Sequence, residues 1–111
     1  MTNKYHARKM TVGGITFDSR KEADRWQTLR LLERAGKISG LQRQVAYQLL
    51  PAQKVGGKTA ERAVSYIADF VYLDAATGKI VVEDVKGVKT EVYKLKRKLM
   101  LFFHGIRIKE V

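Results

Sequence analysis

Apolar residues recur at helical spacing in two stretches of the chain and at alternate positions in several others. Trp26, Leu29 and Leu32, flanked by Ala23 and Ala35, form one stripe and leave Arg25, Arg30, Glu33 and Arg34 for solvent. That stripe predicts a helix over residues 19–35, stopped by Gly36 in the left-handed conformation. Val92, Leu95, Leu99 and Phe102 predict a second helix over 91–103, closed by Gly105. Between them, Val45, Tyr47 and Leu49 alternate over 44–50 until Pro51 ends the strand. Residues 64–73 and 79–86 also read as strands, and the turn formers over 74–78 join them as an antiparallel hairpin. Val12-Gly13-Gly14-Ile15 reads as a tight turn between two very short strands. Residues 53–62 read as a polar, flexible loop, and 106–111 as a last short strand. The predicted order is helix, three strands, helix, strand. It implies one α/β domain over 11–111, a mixed sheet flanked by two helices, behind a flexible basic arm over 1–10.

Composition narrows the function. The chain has 111 residues, room for one core. It carries 22 Lys and Arg against 11 Asp and Glu, a net charge of +11, and the natural partner of such a surface is a polyanion. A membrane surface also attracts basic chains, yet here the charge is concentrated. Lys86, Lys89, Lys94, Lys96, Arg97 and Lys98 lie within thirteen residues that hold one acid, Glu91, and Lys4, Arg8 and Lys9 crowd the start. Nucleic acid is the expected partner. No cysteine occurs, which excludes a disulfide scaffold, a thiolate zinc site and a thiol nucleophile, and suits a reducing cytoplasm. With two histidines, an all-histidine metal site is excluded too. The longest apolar run falls far short of the roughly 20 residues that span a bilayer, so no membrane anchor is expected.

Two carboxylates interrupt strands that otherwise read as buried. Asp69 lies in Tyr66-Ile67-Ala68-Asp69-Phe70-Val71-Tyr72, and Asp84 in Ile80-Val81-Val82-Glu83-Asp84-Val85-Lys86. An ionised carboxylate there is costly unless paired, hydrogen-bonded or bound to a cation. If Leu73 faces Ile80 across the turn, Phe70 faces Glu83 and Asp69 faces Asp84. Cβ atoms so opposed lie about 5 Å apart, close enough for both carboxylates to share one divalent cation. Alternation prefers Asp84 over its neighbour Glu83 and puts Lys86 on the same face, where an ammonium positions a water or stabilises a phosphate. Hard oxygen ligands beside one lysine suit Mg²⁺ or Mn²⁺ and metal-assisted phosphodiester hydrolysis. The bland alternative is a same-face ion pair between Asp84 and Lys86, with Asp69 a satisfied core carboxylate. Glu22 has two roles open to it. It completes a capping box with Ser19, or it closes the buried stripe through Trp26 and Leu29 and faces the sheet.

Asp69 followed fifteen residues later by Asp84-Val85-Lys86 resembles the PD-(D/E)XK nuclease superfamily, and the αβββαβ order resembles its restriction-endonuclease-like core. Phe17-Asp18-Ser19-x-x-Glu22, Leu41-x-x-Gln44, Tyr66-Ile67-Ala68-Asp69-Phe70 and Val82-Glu83-Asp84-Val85-Lys86-Gly87 are similar to a small phage-borne family catalogued as a domain of unknown function. That family groups with archaeal-type Holliday junction resolvases and TnsA-type transposon endonucleases. The resemblance implies Glu22, Asp69 and Asp84 as metal ligands, Lys86 as the catalytic lysine, and 5′-phosphate and 3′-hydroxyl products. Ala68 stands where the superfamily has proline. Gln44 is a secondary site candidate or a strand-start amide.

The expectation is therefore a Mg²⁺- or Mn²⁺-dependent DNA endonuclease, phage or prophage encoded and acting in the host cytoplasm. Lys89, Lys94, Arg97, Lys98, Arg8 and Lys9 are the expected phosphate contacts, with the 53–62 loop, and Tyr93 and Tyr5 are possible aromatic contacts. No base-reading motif is visible, which favours branched or structured DNA. Cutting both strands needs two sites, hence a homodimer, with Trp26, Phe102 and Phe103 as surface candidates. No small-molecule cofactor is expected. The other class of reading is a non-catalytic nucleic-acid-binding module with the same fold.

Overall fold

Ser19 and Gly36 bracket the first helix, α1 (Arg20–Arg34), by the chemistry that singled them out. In the computed structural model, which describes residues 8–111, the Ser19 hydroxyl accepts the Glu22 N–H at 3.1 Å. Gly36, at φ +74°, donates to the Glu33 carbonyl, and Lys37 donates to Leu32, the pair of bonds that closes a helix on a left-handed glycine. The hairpin β1 (Met10–Val12) and β2 (Ile15–Phe17) precedes it, turning at Gly13 and Gly14. Met10 is part of a strand and packs on the core, so the basic arm ends earlier than residue 10. Arg8 and Lys9 are exposed, while Lys4 and Tyr5 lie outside the described residues.

A long strand, β3 (Ile38–Leu50), follows and begins at Ile38 instead of Gln44. Its first half hides from periodicity because two irregularities break the alternation: a bulge at Gly40, φ +63°, and Gln44 at φ +55°. The 53–62 segment is not a loop. It is a hairpin, β4 (Gln53–Val55) and β5 (Lys58–Glu61), around Gly56 and Gly57 at φ +60° and +79°. The same turn signal stands at Gly13-Gly14; here polar strands masked it. The chain continues through β6 (Val64–Asp74), β7 (Lys79–Asp84), α2 (Glu91–His104) and the two-residue β8 (Lys109–Glu110). β8 is shorter than the expected 106–111 strand, because the Ile106 N–H folds back to the Met100 carbonyl at the end of α2.

The main sheet runs β3-β6-β7-β8, antiparallel except for the last pair, which α2 joins as a parallel crossover. Leu73 faces Ile80, Tyr72 faces Val81, Val71 faces Val82 and Phe70 faces Glu83, as expected from the turn. The ladder stops there, one rung short of Asp69 and Asp84. One core cluster, centred on Phe17, Leu29, Phe70 and Tyr72, lies between α1 and one sheet face. The other, around Tyr66, Val71, Val82 and Met100, lies under α2 on the opposite face.

Both helices differ from their predicted faces. Arg25 is not a solvent residue: its guanidinium clamps Glu83, fully buried, with contacts of 2.8 and 2.5 Å, and the Tyr72 hydroxyl donates to the same carboxylate. Glu33 also turns inward to accept the Leu41 N–H at 3.0 Å. On α2 the buried residues are Tyr93 and Met100, while Val92, Leu95 and Phe102 are exposed and Leu99 is half-buried. Tyr93 and Met100 join Val82 and Ala68 in one cluster with Leu99 at its edge, and the rest of the more conspicuous stripe faces outward. Removing one partner of a buried ion pair strands the other charge. Arg25→Ala is therefore expected to lose about 3–5 kcal/mol of folding free energy. Replacing Arg25 and Glu83 together by Met should recover most of that loss, both read from urea midpoints. A wild-type midpoint for Arg25→Ala would show that Tyr72 alone satisfies Glu83.

Candidate active site

Strand β6 changes faces at Asp69. Tyr66 and Ala68 point into the α2 cluster, yet Phe70 and Tyr72, of the same parity, point into the α1 cluster. β3 switches at the facing position: Val45 and Tyr47 join the α2 side, whereas Arg43 lies over the Phe17 ring. Between the paired rungs Arg43–Phe70 and Val45–Ala68, Gln44 takes its positive φ opposite Asp69. The break frees the Asp69 carboxylate to turn sideways, where Oδ2 accepts the Val85 N–H at 2.8 Å. That bond stands in for the ladder bond that β7 lacks beyond Asp84, and it ends the strand before Lys86.

Asp84 neighbours Asp69 and helps to raise its pKa. Asp84 is held by the Tyr66 hydroxyl, which donates to Oδ2 at 2.6 Å, and by Lys86 Nζ, 3.1 Å from Oδ1. The Lys86 ammonium stands 4.2 Å from the Tyr93 ring centroid, a cation–π seat, and the Tyr93 hydroxyl donates to Glu110 at 2.7 Å. The Lys86 carbonyl accepts from Lys21 Nζ at 3.0 Å, tying α1 to this turn. Across a cleft of about 390 Å³, Glu22 of α1 and the capping Ser19 face Asp69, Val85 and Lys86. Glu22 is buried, and the Gln44 amide donates to its carboxyl at 3.4 Å. It thus keeps only half of a capping box: Ser19 caps the helix through the Glu22 N–H, while the Glu22 carboxyl accepts from Gln44.

Burial, then the neighbouring Asp84, pushes the Asp69 carboxyl up to about 8, against the lowering effect of the Val85 N–H. Burial also raises Glu22, with Asp18 and Asp84 adding to it and Arg43 opposing. Among the described residues no three His, Asp or Glu side chains gather closely enough to hold a metal on protein ligands alone. The donor set nonetheless fits Mg²⁺ or Mn²⁺. These ions take one or two carboxylates, keep several waters and borrow ligands from phosphate. A divalent cation beside Asp69 would replace the proton that burial favours there, and Glu22 shares the field of Asp69 and Asp84 across the cleft.

The structure thus lines one cleft with Glu22, Asp69 and Lys86 and buries Asp84 beside it, paired with Lys86. It separates Glu83, which faces α1 and is spent on Arg25. Of the expected phosphate contacts, Lys89 and Arg97 both bind Glu110, at 3.3 and 3.1 Å, and Lys94 reaches Glu91 at 3.3 Å. Lys98 is exposed, beside a hollow that also includes Arg97 and Arg107. Sequence reasoning missed Tyr66 and Lys21. Only the break at Asp69, invisible to a period-two pattern, puts the Tyr66 side chain and Asp84 on the same face. Tyr93, expected as core or as a base-stacking residue, is the seat for Lys86.

Fold and site define a basic, mixed α/β domain with a carboxylate cleft at the end of its central strands. A family model described as "Protein of unknown function (DUF1064)" matches residues 2–109, and the chain belongs to that family. No curated protein and no solved structure matches it. Among the described residues no helix is long and apolar enough to cross a membrane.

The raised Asp69 sets a pH dependence. Its folded-state pKa lies above the ordinary 3.8, so the neutral form favours the fold. That contribution is complete below the ordinary value and is lost as pH rises through about 8. Without divalent ions the melting temperature should therefore fall between mildly acidic and alkaline buffer, and Asp69→Asn should flatten the fall. An equally steep fall in Asp69→Asn would place the titrating group elsewhere.

Proposed function

We propose that this chain is a divalent-metal-dependent DNA endonuclease and that its αβββαβ order is the restriction-endonuclease-like core of the PD-(D/E)XK superfamily. The observation that carries the reading is a cleft lined by Glu22, Asp69 and Lys86, with Lys86 Nζ 3.1 Å from the buried Asp84 carboxylate. Asp69 and Asp84 would hold Mg²⁺ or Mn²⁺, with Glu22 completing or orienting its water shell from α1. The cation, when bound, supplies acidity to a water and charge to the scissile phosphate. The protein's own groups do the positioning. Tyr66 fixes the Asp84 rotamer, and the Tyr93 ring and Asp84 hold the Lys86 ammonium where it orients a nucleophilic water. Attack at phosphorus breaks the bond to the 3′ oxygen, leaving 5′-phosphate and 3′-hydroxyl ends.

The +11 charge supports a DNA partner, with Lys98, Arg8 and Lys9 as exposed phosphate contacts and Lys94, paired with Glu91, beside them. Lys89 and Arg97 contribute through a site already shared with Glu110. A small surface without a base-reading element favours branched or structured phage DNA, met in the host cytoplasm. Two cuts at a junction call for two copies. The second reading, a binding module without catalysis, is favoured by the absence of a three-ligand cluster among the described residues.

Wild type, Asp84→Asn and Lys86→Gln should be compared on labelled four-way junction, duplex and single-stranded DNA, with Mg²⁺, Mn²⁺ or EDTA. Metal-dependent cleavage is expected for wild type, falling about 100-fold or more in both variants while binding stays within a few-fold. Tight junction binding with no cleavage under either metal would establish the binding module instead.

A further inference from the structure

Helix α2 carries two apolar faces, and the sheet takes one of them. Tyr93 and Met100 pack inward, with Arg97 between them lying near the Tyr93 ring. Val92, Leu95, Leu99 and Phe102 form a second line whose centre lies roughly 140° round the helix from the first, at 100° per residue, and Leu99, half-buried, also packs against the core beneath α2. Val92 is 64%, Leu95 57% and Phe102 80% exposed, and Phe103 stands edge-on to Phe102 at the end of the line. The spacing is three, four, three. That is the narrow a/d seam by which one helix packs on another, not the broad stripe of a helix lying in a membrane surface.

We propose that this seam pairs with the α2 seam of a second copy, running antiparallel, and that the protein is a homodimer through it. α1 is the only other helix among the described residues, and its buried residues belong to its own core, so α2 alone offers a seam of this spacing. The seam is self-complementary. In antiparallel register Val92 meets Phe102 of the second copy, and Leu95 meets Leu99, a small residue against a large one and leucine against leucine. The exposed fractions of Val92, Leu95, Phe102 and Phe103 leave roughly 500 Å² of apolar surface per copy. Two copies cover about 1,000 Å², the floor for a specific interface before any polar rim is added. A net charge of +11 on each copy opposes the pairing, so screening by salt strengthens it.

The geometry has a further result. Thr90, at the N-terminus of α2, lines the carboxylate cleft. Antiparallel helices of fourteen residues put the two clefts at opposite ends of the seam, roughly 20 Å apart along it at 1.5 Å per residue. Their use on two DNA strands rests on the nuclease reading, whereas the seam itself does not.

Sedimentation velocity on the full chain, at low and high salt, tests the pairing without reference to cleavage. Wild type is expected at twice 12.6 kDa, with association tightening as salt rises. Leu95→Asp and Phe102→Asp should weaken association by about tenfold or more, with circular dichroism and melting unchanged because both side chains are exposed in the single copy. The chain has no cysteine, so Leu95→Cys adds a single handle. A short bis-maleimide should join two copies through it, and Thr77→Cys at the β6–β7 turn should not. A monomer at every salt concentration, a dimer indifferent to Leu95→Asp, or a monomer that binds anionic vesicles through this stripe would each overturn the proposal.

Discussion

A single irregular rung organises this domain. Where Gln44 meets Asp69, two adjacent strands both reverse which face their side chains serve. A strand with unbroken alternation cannot feed Tyr66 and Ala68 to one helix and Phe70 and Tyr72 to the other, because all four share a parity. The reversal lets one long strand supply both cores. It also leaves a carboxylate pointing along the sheet instead of away from it. Asp69 uses that orientation to cap Val85, which stops β7 and opens the turn on which Lys86 sits. Fold and cleft are consequences of the same backbone event.

The consecutive acids Glu83 and Asp84 show how position decides chemistry. Glu83 is sealed under α1, where two guanidinium contacts and a tyrosine hydroxyl saturate it. Asp84, one residue on, faces the other way and finds a tyrosine, a lysine and a second carboxyl. The first arrangement fixes α1 on the sheet. The second buries a carboxyl beside another, and burial first, with Asp84 adding to it, raises the Asp69 pKa.

Much of this was legible because local rules and tertiary structure agree. Caps at Ser19, Gly36 and Gly105 announce themselves, and the five-residue connection after Leu73 fixes the register through Phe70 and Glu83. The pairing of Asp69 with Asp84 followed from that register, although the two lie just past the last regular rung. What the pattern hid has physical causes. Gly40 and Gln44 break the alternation of β3, so half of that strand reads as loop. Polar strands concealed the β4–β5 hairpin behind a turn signal already present in the sequence. The brightest stripe of α2 is not its core face, because burial there depends on the sheet residues beneath it, Val82 and Ala68 among them, and no helical periodicity contains those.

The β4–β5 hairpin stands apart energetically. Every residue from Gln53 to Glu61 is exposed, and none belongs to either core cluster. A two-stranded ribbon without a hydrophobic face is marginal in water, so its order is borrowed from the ends of β3 and β6 that hold its base. It therefore opens and closes at little free-energy cost while the remainder stays folded, and its amides exchange with solvent long before those of the central strands. The molecule is in that sense two materials in one chain: a rigid double-faced sheet, and a tip whose shape is left to its surroundings.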